Sequence, residues 1–280
     1  MSAVVLVSGA TSGMGLETTL CLARQGYRVF AGYRNDAGRR TLEDHAHELG
    51  DRIIPVPLDV QESISVDRAV ASVLRTAGRL DVLVNNAGYG LVASVEDGTD
   101  EEFIRQFDVN VFGVLRLCRA AIPAMRRSGG GVIVNVGSFL GHMGLPLLTH
   151  YNASKYAVEG ITDSLRIELR DFGIRVHTVA PGLFRTDFVR RGLAANSSTT
   201  AAGSAYAPLA DQLLPAVAQR INEGPDPAGV AEAILQVITN PASPARVPVG
   251  EEAVLGETWK RSLDPAAFER QVQAFFGLAG

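Results

Sequence analysis

The chain is poor in cysteine, carries no excess of positive charge and has no apolar run long enough to span a bilayer. Its two cysteines, Cys21 and Cys118, each sit in an apolar helical pattern and read as buried free thiols, in keeping with a reducing cytoplasm. With 26 Lys and Arg against 30 Asp and Glu, the formal net charge is −4. That balance excludes the basic footprint of a nucleic-acid binder. The short pairs Arg39-Arg40, Arg126-Arg127 and Arg190-Arg191 read as solvated helix faces. The start, "MSAVVLVSGA", has no basic n-region, and its apolar stretch is too short for a signal peptide. The expected location is therefore the cytoplasm.

What is present is a regular alternation. The β-rich runs are "AVVLVS" (3–8), "RVFAGY" (28–33), "IIPVPL" (53–58), "DVLVNN" (81–86), "VIVNVG" (132–137), "IRVHTVA" (174–180) and "ARVPVG" (245–250). Helical stretches of ten or more residues separate most of them. Near-continuous apolar strands joined through helices predict an α/β fold: one doubly wound domain over 1–280, with a mostly parallel seven-stranded sheet and helices on both faces. Between Pro181 and Pro225 no strand is evident, and 192–210 ("GLAANSSTTAAGSAYAPLA") has no charged residue. This composition predicts a mobile loop, placed as a substrate lid over about 183–225. A helical extension is expected over about 251–280.

Two stretches invite chemistry. "SGATSGMGLETT" (8–19) leaves the first strand and opens a helix, with Gly9, Gly13 and Gly15 allowing backbone N–H groups to approach a phosphate. Ser8, Thr11 and Ser12 could add hydroxyl contacts or cap the helix. In "YNASK", Tyr151 and Lys155 are one helical turn apart on one face. The lysine is either an ordinary surface charge or a group that lowers the pKa of the phenol. A drop of about 3 units needs roughly 4 kcal/mol. An ammonium at ~4 Å in an effective dielectric near 20 supplies about that.

The glycine spacing G-x-x-x-G-x-G, "NNAG" (85–88), Ser138, "YNASK" (151–155) and "PG" (181–182) occur in the order and spacing of one family. From residue 3 to about 187 the chain resembles a short-chain dehydrogenase/reductase, with Ser8 where a threonine is usual. The resemblance implies that Tyr151 is the proton donor for carbonyl reduction and the acceptor for alcohol oxidation. It makes Ser138 the hydrogen-bond partner of the substrate oxygen, Lys155 a holder of the nicotinamide ribose hydroxyls, and Asn110 the fourth catalytic member, organising a proton-relay water. A mid-helix Asn is a poor helix former, and a solvent-facing side chain is the other reading. "TDEE" (99–102) is not a catalytic carboxylate pair: Thr99 and Glu102 form a capping box. His142 and His150 have no metal-ligand spacing, so no metal is expected.

NADP(H) is the expected cofactor. An acidic residue about 20 positions after the glycine loop would select NAD, but the second strand ends at Tyr33 and is followed by Arg34. Asp36 would take that place if the strand ran longer. Ser12 and Asn35 are further phosphate ligands, and by resemblance Asp59 contacts the adenine. The expected cofactor set is completed by Met14, Val60, Asn86, Ala87, Gly88, Pro181, Gly182 and Thr186, beside Tyr151 and Lys155.

From Phe139 to His150, "FLGHMGLPLLTH" has no charged residue, which predicts a bulky, uncharged, apolar substrate of steroid, retinoid, terpenoid or aromatic polyketide type. Arg185, Arg190 and Arg191 weigh against this, since the lid could turn one inward. Ala157, Ile161 and Leu165 form a stripe that predicts a homodimer or homotetramer, unless the stripe faces the chain's own sheet. The expected activity is an NADP(H)-dependent carbonyl reductase or alcohol dehydrogenase. The alternatives are an NAD-dependent dehydrogenase of the same family and a catalytically silent NADP-sensing protein.

Overall fold

Strands rich in Val, Ile and Leu bury both faces at the centre of the sheet, and the protein builds its core on them. The computed structural model describes residues 2–188 and 192–278 of the 280-residue chain. The first half comprises β1 (Val4–Val7), α1 (Gly13–Arg24), β2 (Arg28–Tyr33), α2 (Asp36–Leu49), β3 (Ile53–Pro57) and α3 (Ser63–Ala77). There follow β4 (Val82–Asn85), β5 (Gly90–Val92), α4 (Asp100–Phe107), α5 (Gly113–Arg127), β6 (Gly131–Val136), α6 (Thr149–Glu168) and β7 (Ile174–Pro181). The remainder is β8 (Leu193–Ala195), α7 (Ser197–Thr200), α8 (Ala207–Glu223), α9 (Ala228–Thr239), β9 (Arg246–Val249), α10 (Glu251–Ser262) and α11 (Pro265–Phe275).

Seven strands pair in the order β3-β2-β1-β4-β6-β7-β9, every pair parallel. Alternate residues of β1 serve opposite faces. Val4 and Leu6 join the core under α3, α5 and α6, while Val5 and Val7 join the core under α1, α2 and α9. The strand order reverses between β1 and β4, and in such sheets the crevice at the carboxyl ends beside that switch is where ligands bind. A third apolar core lies at this carboxyl edge, where Leu140, Leu145 and Leu148 meet Leu213 and Val217 of α8 and Val272 and Phe276 near the C-terminus.

The segment read as a strandless mobile loop is largely ordered structure. Leu193–Ala195 pairs with Gly90–Val92 as a second, two-stranded sheet, and α7 and α8 follow it. Ala207, Ala210, Leu213, Val217 and Ile221 recur at helical spacing and are buried, which fixes α8 against the third core. Cys118 is buried as expected, whereas Cys21 is only half-buried. Arg190 and Arg191 lie outside the described residues. Ile161 and Leu165 pack on the chain's own core, so their stripe gives no evidence of assembly. Among the described residues no helix is long and apolar enough to cross a membrane.

Candidate active site

The turn from β1 into α1 is built for close approach. Gly9 adopts φ +63° and Gly13 φ +52°, in the left-handed region that disfavours side chains. A Cβ on Gly15 would collide with the Gly9 carbonyl oxygen and the Asn86 side-chain amide. Ser12 is the N-cap of α1, yet its side chain makes no capping hydrogen bond, and no acid stands in the first turn. The positive end of α1 therefore faces a cleft of about 510 Å³ without a local counter-charge. Ser8 does not line this cleft. Its hydroxyl oxygen accepts from the N–H groups of Asn86 (3.0 Å) and Ala87 (3.1 Å), locking the "NNAG" loop to β1.

β2 ends at Tyr33, so Asp36 falls on the first turn of α2, exposed and 3.6 Å from Arg39, and does not line the cleft. Arg34 and Asn35 do line it. Arg34 has no carboxylate partner among the described residues. The Asn35 side-chain oxygen accepts from Gly38 N at 2.9 Å, capping α2. Asp59, Val60, Asn86, Ala87, Gly88, Pro181, Gly182 and Thr186 also face the cleft, with Thr11 and Met14. The nucleotide-sized groove thus runs from Arg34 past the glycine turn toward Thr186.

Ser138, Tyr151 and Lys155 converge where the groove meets the apolar wall. The Tyr151 phenol faces Ser138, whose hydroxyl oxygen accepts from Leu140 N at 3.1 Å, and the Lys155 ammonium donates to Val136 O at 2.9 Å, 5.7 Å from the phenol ring centre. The expected pKa relation does not hold. Burial pushes Tyr151 up to about 12, with the neighbouring Ser138 hydroxyl the counteracting influence, and burial pushes Lys155 down to about 8. Burial is the largest influence on both groups, since a low-dielectric surround disfavours phenolate and ammonium alike.

Asn110 is buried rather than solvent-facing and does not itself line the cleft. It sits in a π-helical turn, Asp108–Phe112, between α4 and α5, a bulge of the kind often found at functional sites. Its amide donates to Tyr89 O (2.9 Å) and Ser154 Oγ (3.1 Å) while its oxygen accepts from Tyr89 N (3.0 Å). That side chain ties α6 to the "NNAG" loop. The Thr99–Glu102 capping box forms as predicted. His142 does not line the cleft, and His150 stacks on Phe103 with centroids 3.4 Å apart.

Beyond Tyr151 the wall is apolar, formed by Val92, Leu145, Leu148, Leu193, Leu213 and Leu214, with Phe188 6.3 Å from the Tyr151 ring. Arg105 and Asp187 also line the cleft, whereas Arg185 is exposed, 3.6 Å from Asp226. Sequence reasoning missed this α8 contribution and two supports behind the site. Arg246 donates to Ser138 O (3.1 Å) and pairs with Glu159 and Glu257. Glu252 accepts from Leu183 N at 3.0 Å just after the "PG" pair. The apolar repeat of α8 was the available signal for the first; for the other two there was none in local sequence.

A parallel sheet in this strand order, a glycine turn at the head of α1 and a Ser–Tyr–Lys cluster at the sheet's carboxyl edge together define a dinucleotide-type oxidoreductase fold. The profile of the short chain dehydrogenase family matches residues 3–196. The chain belongs to that family. A 3-ketodihydrosphingosine reductase from Bacteroides thetaiotaomicron is 35% identical over 248 residues, 88% of this chain and 87% of the relative. The crystal structure of a short-chain dehydrogenase from Streptomyces avermitilis superposes with a TM-score of 0.83 at 33% identity, covering 100% of this chain and 99% of that one. An actinorhodin polyketide ketoreductase solved with NADPH gives 0.76 at 32% identity, covering 88% and 95%.

Proposed function

We propose that the protein is an NADP(H)-dependent oxidoreductase that interconverts a carbonyl and a secondary alcohol on a bulky apolar substrate. The observation that carries this is the convergence of Ser138, Tyr151 and Lys155 at the junction of the nucleotide-sized groove and an apolar wall. The residues present fit the cofactor: N–H donors at the head of α1 for the pyrophosphate, Arg34, which has no carboxylate partner among the described residues, for the 2′-phosphate, and Lys155 for the ribose hydroxyls. Asp59 and Val60 would hold the adenine, and Pro181, Gly182 and Thr186 the nicotinamide end. Bound there, NADP(H) supplies the hydride chemistry.

The rest is done by this chain. The Ser138 hydroxyl orients the substrate oxygen and donates a hydrogen bond as negative charge develops on it. Tyr151, held protonated by burial, gives its proton to that oxygen. Asn110 holds the loop and α6 in register, and the apolar wall excludes water from the reacting carbon. The named relatives, a keto-lipid reductase and a polyketide ketoreductase, support carbonyl reduction on apolar substrates. The protein is further proposed to be cytoplasmic and to form a homodimer or homotetramer; exposed Ile104, Phe112, Leu115 and Tyr156 on neighbouring helical segments support the assembly.

The test is turnover of an apolar ketone panel with NADPH and NADH, followed by the absorbance of the reduced cofactor. A phosphate–arginine hydrogen bond of ~1.5–3 kcal/mol implies roughly ten- to a hundredfold preference for NADPH in kcat/KM. Arg34→Ala is expected to raise KM for NADPH far more than for NADH. Equal kcat/KM for the two cofactors in the unmodified protein contradicts the assignment.

A further inference from the structure

The apolar wall is not the end of the open space. Behind it lies a second cavity of about 360 Å³, and Val92, Leu193, Leu214 and Val217 line both this cavity and the cleft. The remaining walls come from Ala195 at the end of β8 and from Ala210, Asp211, Pro215 and Ala218 of α8. Of these nine residues Asp211 alone is ionisable. It is exposed, as are Ala195 and Pro215, so the far end reaches solvent between β8 and α8.

Four side chains are thus the partition between the Tyr151 chamber and an apolar exit. For a methylene chain to pass from one space to the other, only these four side chains would have to move. Admitting a fused ring system would require separating β8 from α8, and α8 is held to the third core by Ala210, Leu213 and Ile221. The small side chains beyond the partition, Ala195, Ala210 and Ala218, leave a chain-wide space.

We infer that the substrate carries a flexible, unbranched apolar tail, its carbonyl held at Ser138 and Tyr151 and its tail passing between Leu193 and Val217 into the second cavity. This rests on the carbonyl-reductase reading above and narrows its substrate class to chain-bearing lipids. Asp211 at the outer mouth makes a neutral tail terminus the favoured one.

Two experiments on the full chain test it. The first measures kcat/KM with NADPH for unbranched methyl ketones of increasing length. A rise of about three- to fourfold per methylene is expected until the tail emerges, the ordinary gain of burying a methylene. Ala218→Trp and Ala195→Trp fill the second cavity from opposite walls. Each is expected to flatten this rise, costing the longest ketones at least about tenfold while the short ketones serve as the reference. The second needs no turnover: a neutral polyene fatty alcohol that fluoresces when buried is titrated into the wild type and both variants. It is expected to bind the wild type and to lose at least about tenfold in affinity in the variants. Equal losses for short and long ketones, or unchanged probe binding in both variants, overturn the inference. Probe binding that the variants abolish, without reduction of any ketone, leaves the tail site standing and removes the reductase reading instead.

Discussion

Tyr151 and Lys155 show how far a local motif carries. Their spacing placed both on one helical face, and the structure brings both to the cleft with Ser138. What the spacing could not show is where the ammonium points. Its partner is Val136 O, nineteen positions away in sequence, on a strand rather than on the helix. The consequence is a pH dependence. Burial keeps the phenol protonated, as a donor, up to about 12, while Lys155 loses its charge as pH rises through about 8. Because Lys155 is proposed to hold the cofactor's ribose and kcat/KM reports the free enzyme, kcat/KM for NADPH in reduction is expected to be flat below about pH 7 and to fall above about pH 8, by up to tenfold per pH unit. A profile for reduction that declines only above about pH 10 would show that the lysine charge plays no part.

Elements were legible in proportion to how locally they are specified. Every strand of the main sheet was read to within one residue at its ends, because β-branched runs buried on both faces need no distant information. β5 and β8 were invisible: each is three residues long, and each is a strand only because of the other, about a hundred positions away. α8 was hidden differently, since small and polar residues before it suggested a loop although its own apolar residues keep helical spacing. The C-terminal helices were expected, but their role was not. Glu252 of α10 is buried, accepts from Leu183 N and lies 3.8 Å from Arg220, whose guanidinium covers the Phe275 ring at 4.1 Å. Glu252→Ala leaves that N–H without its acceptor, a loss of about 1–3 kcal/mol. Thermal denaturation is expected to show Tm lowered by several degrees, with KM for NADPH raised because Gly182 and Leu183 loosen. An unchanged Tm would mean that α10 does not brace the "PG" segment.

At the scale of the whole molecule, the parallel, doubly wound sheet was implied by the βα alternation; its strand order was not, and the groove lies at the carboxyl edge beside the switch that this order creates. Assembly was less legible. The stripe chosen from sequence included Ile161 and Leu165, which pack on the protein's own core, whereas the exposed apolar side chains include Phe112 (48% exposed) and Leu115 (41%) beside α4 and Tyr156 (43%) on α6. Periodicity alone cannot tell an inward from an outward face on a helix that has both. Light scattering at micromolar concentration is expected to give a dimer or tetramer mass, and Phe112→Asp with Leu115→Asp to lower it. A monomer in the unmodified protein contradicts this part of the account.

The central claim is that one phenol, set between groove and wall, delivers the proton. Tyr151→Phe removes the transferable proton and little else, so the decisive measurement is its kcat with NADPH and an apolar ketone, alongside its affinity for NADPH. The account predicts near-wild-type cofactor affinity with turnover essentially abolished. A variant retaining more than about a tenth of wild-type kcat, a barrier change of only about 1.4 kcal/mol, would contradict it.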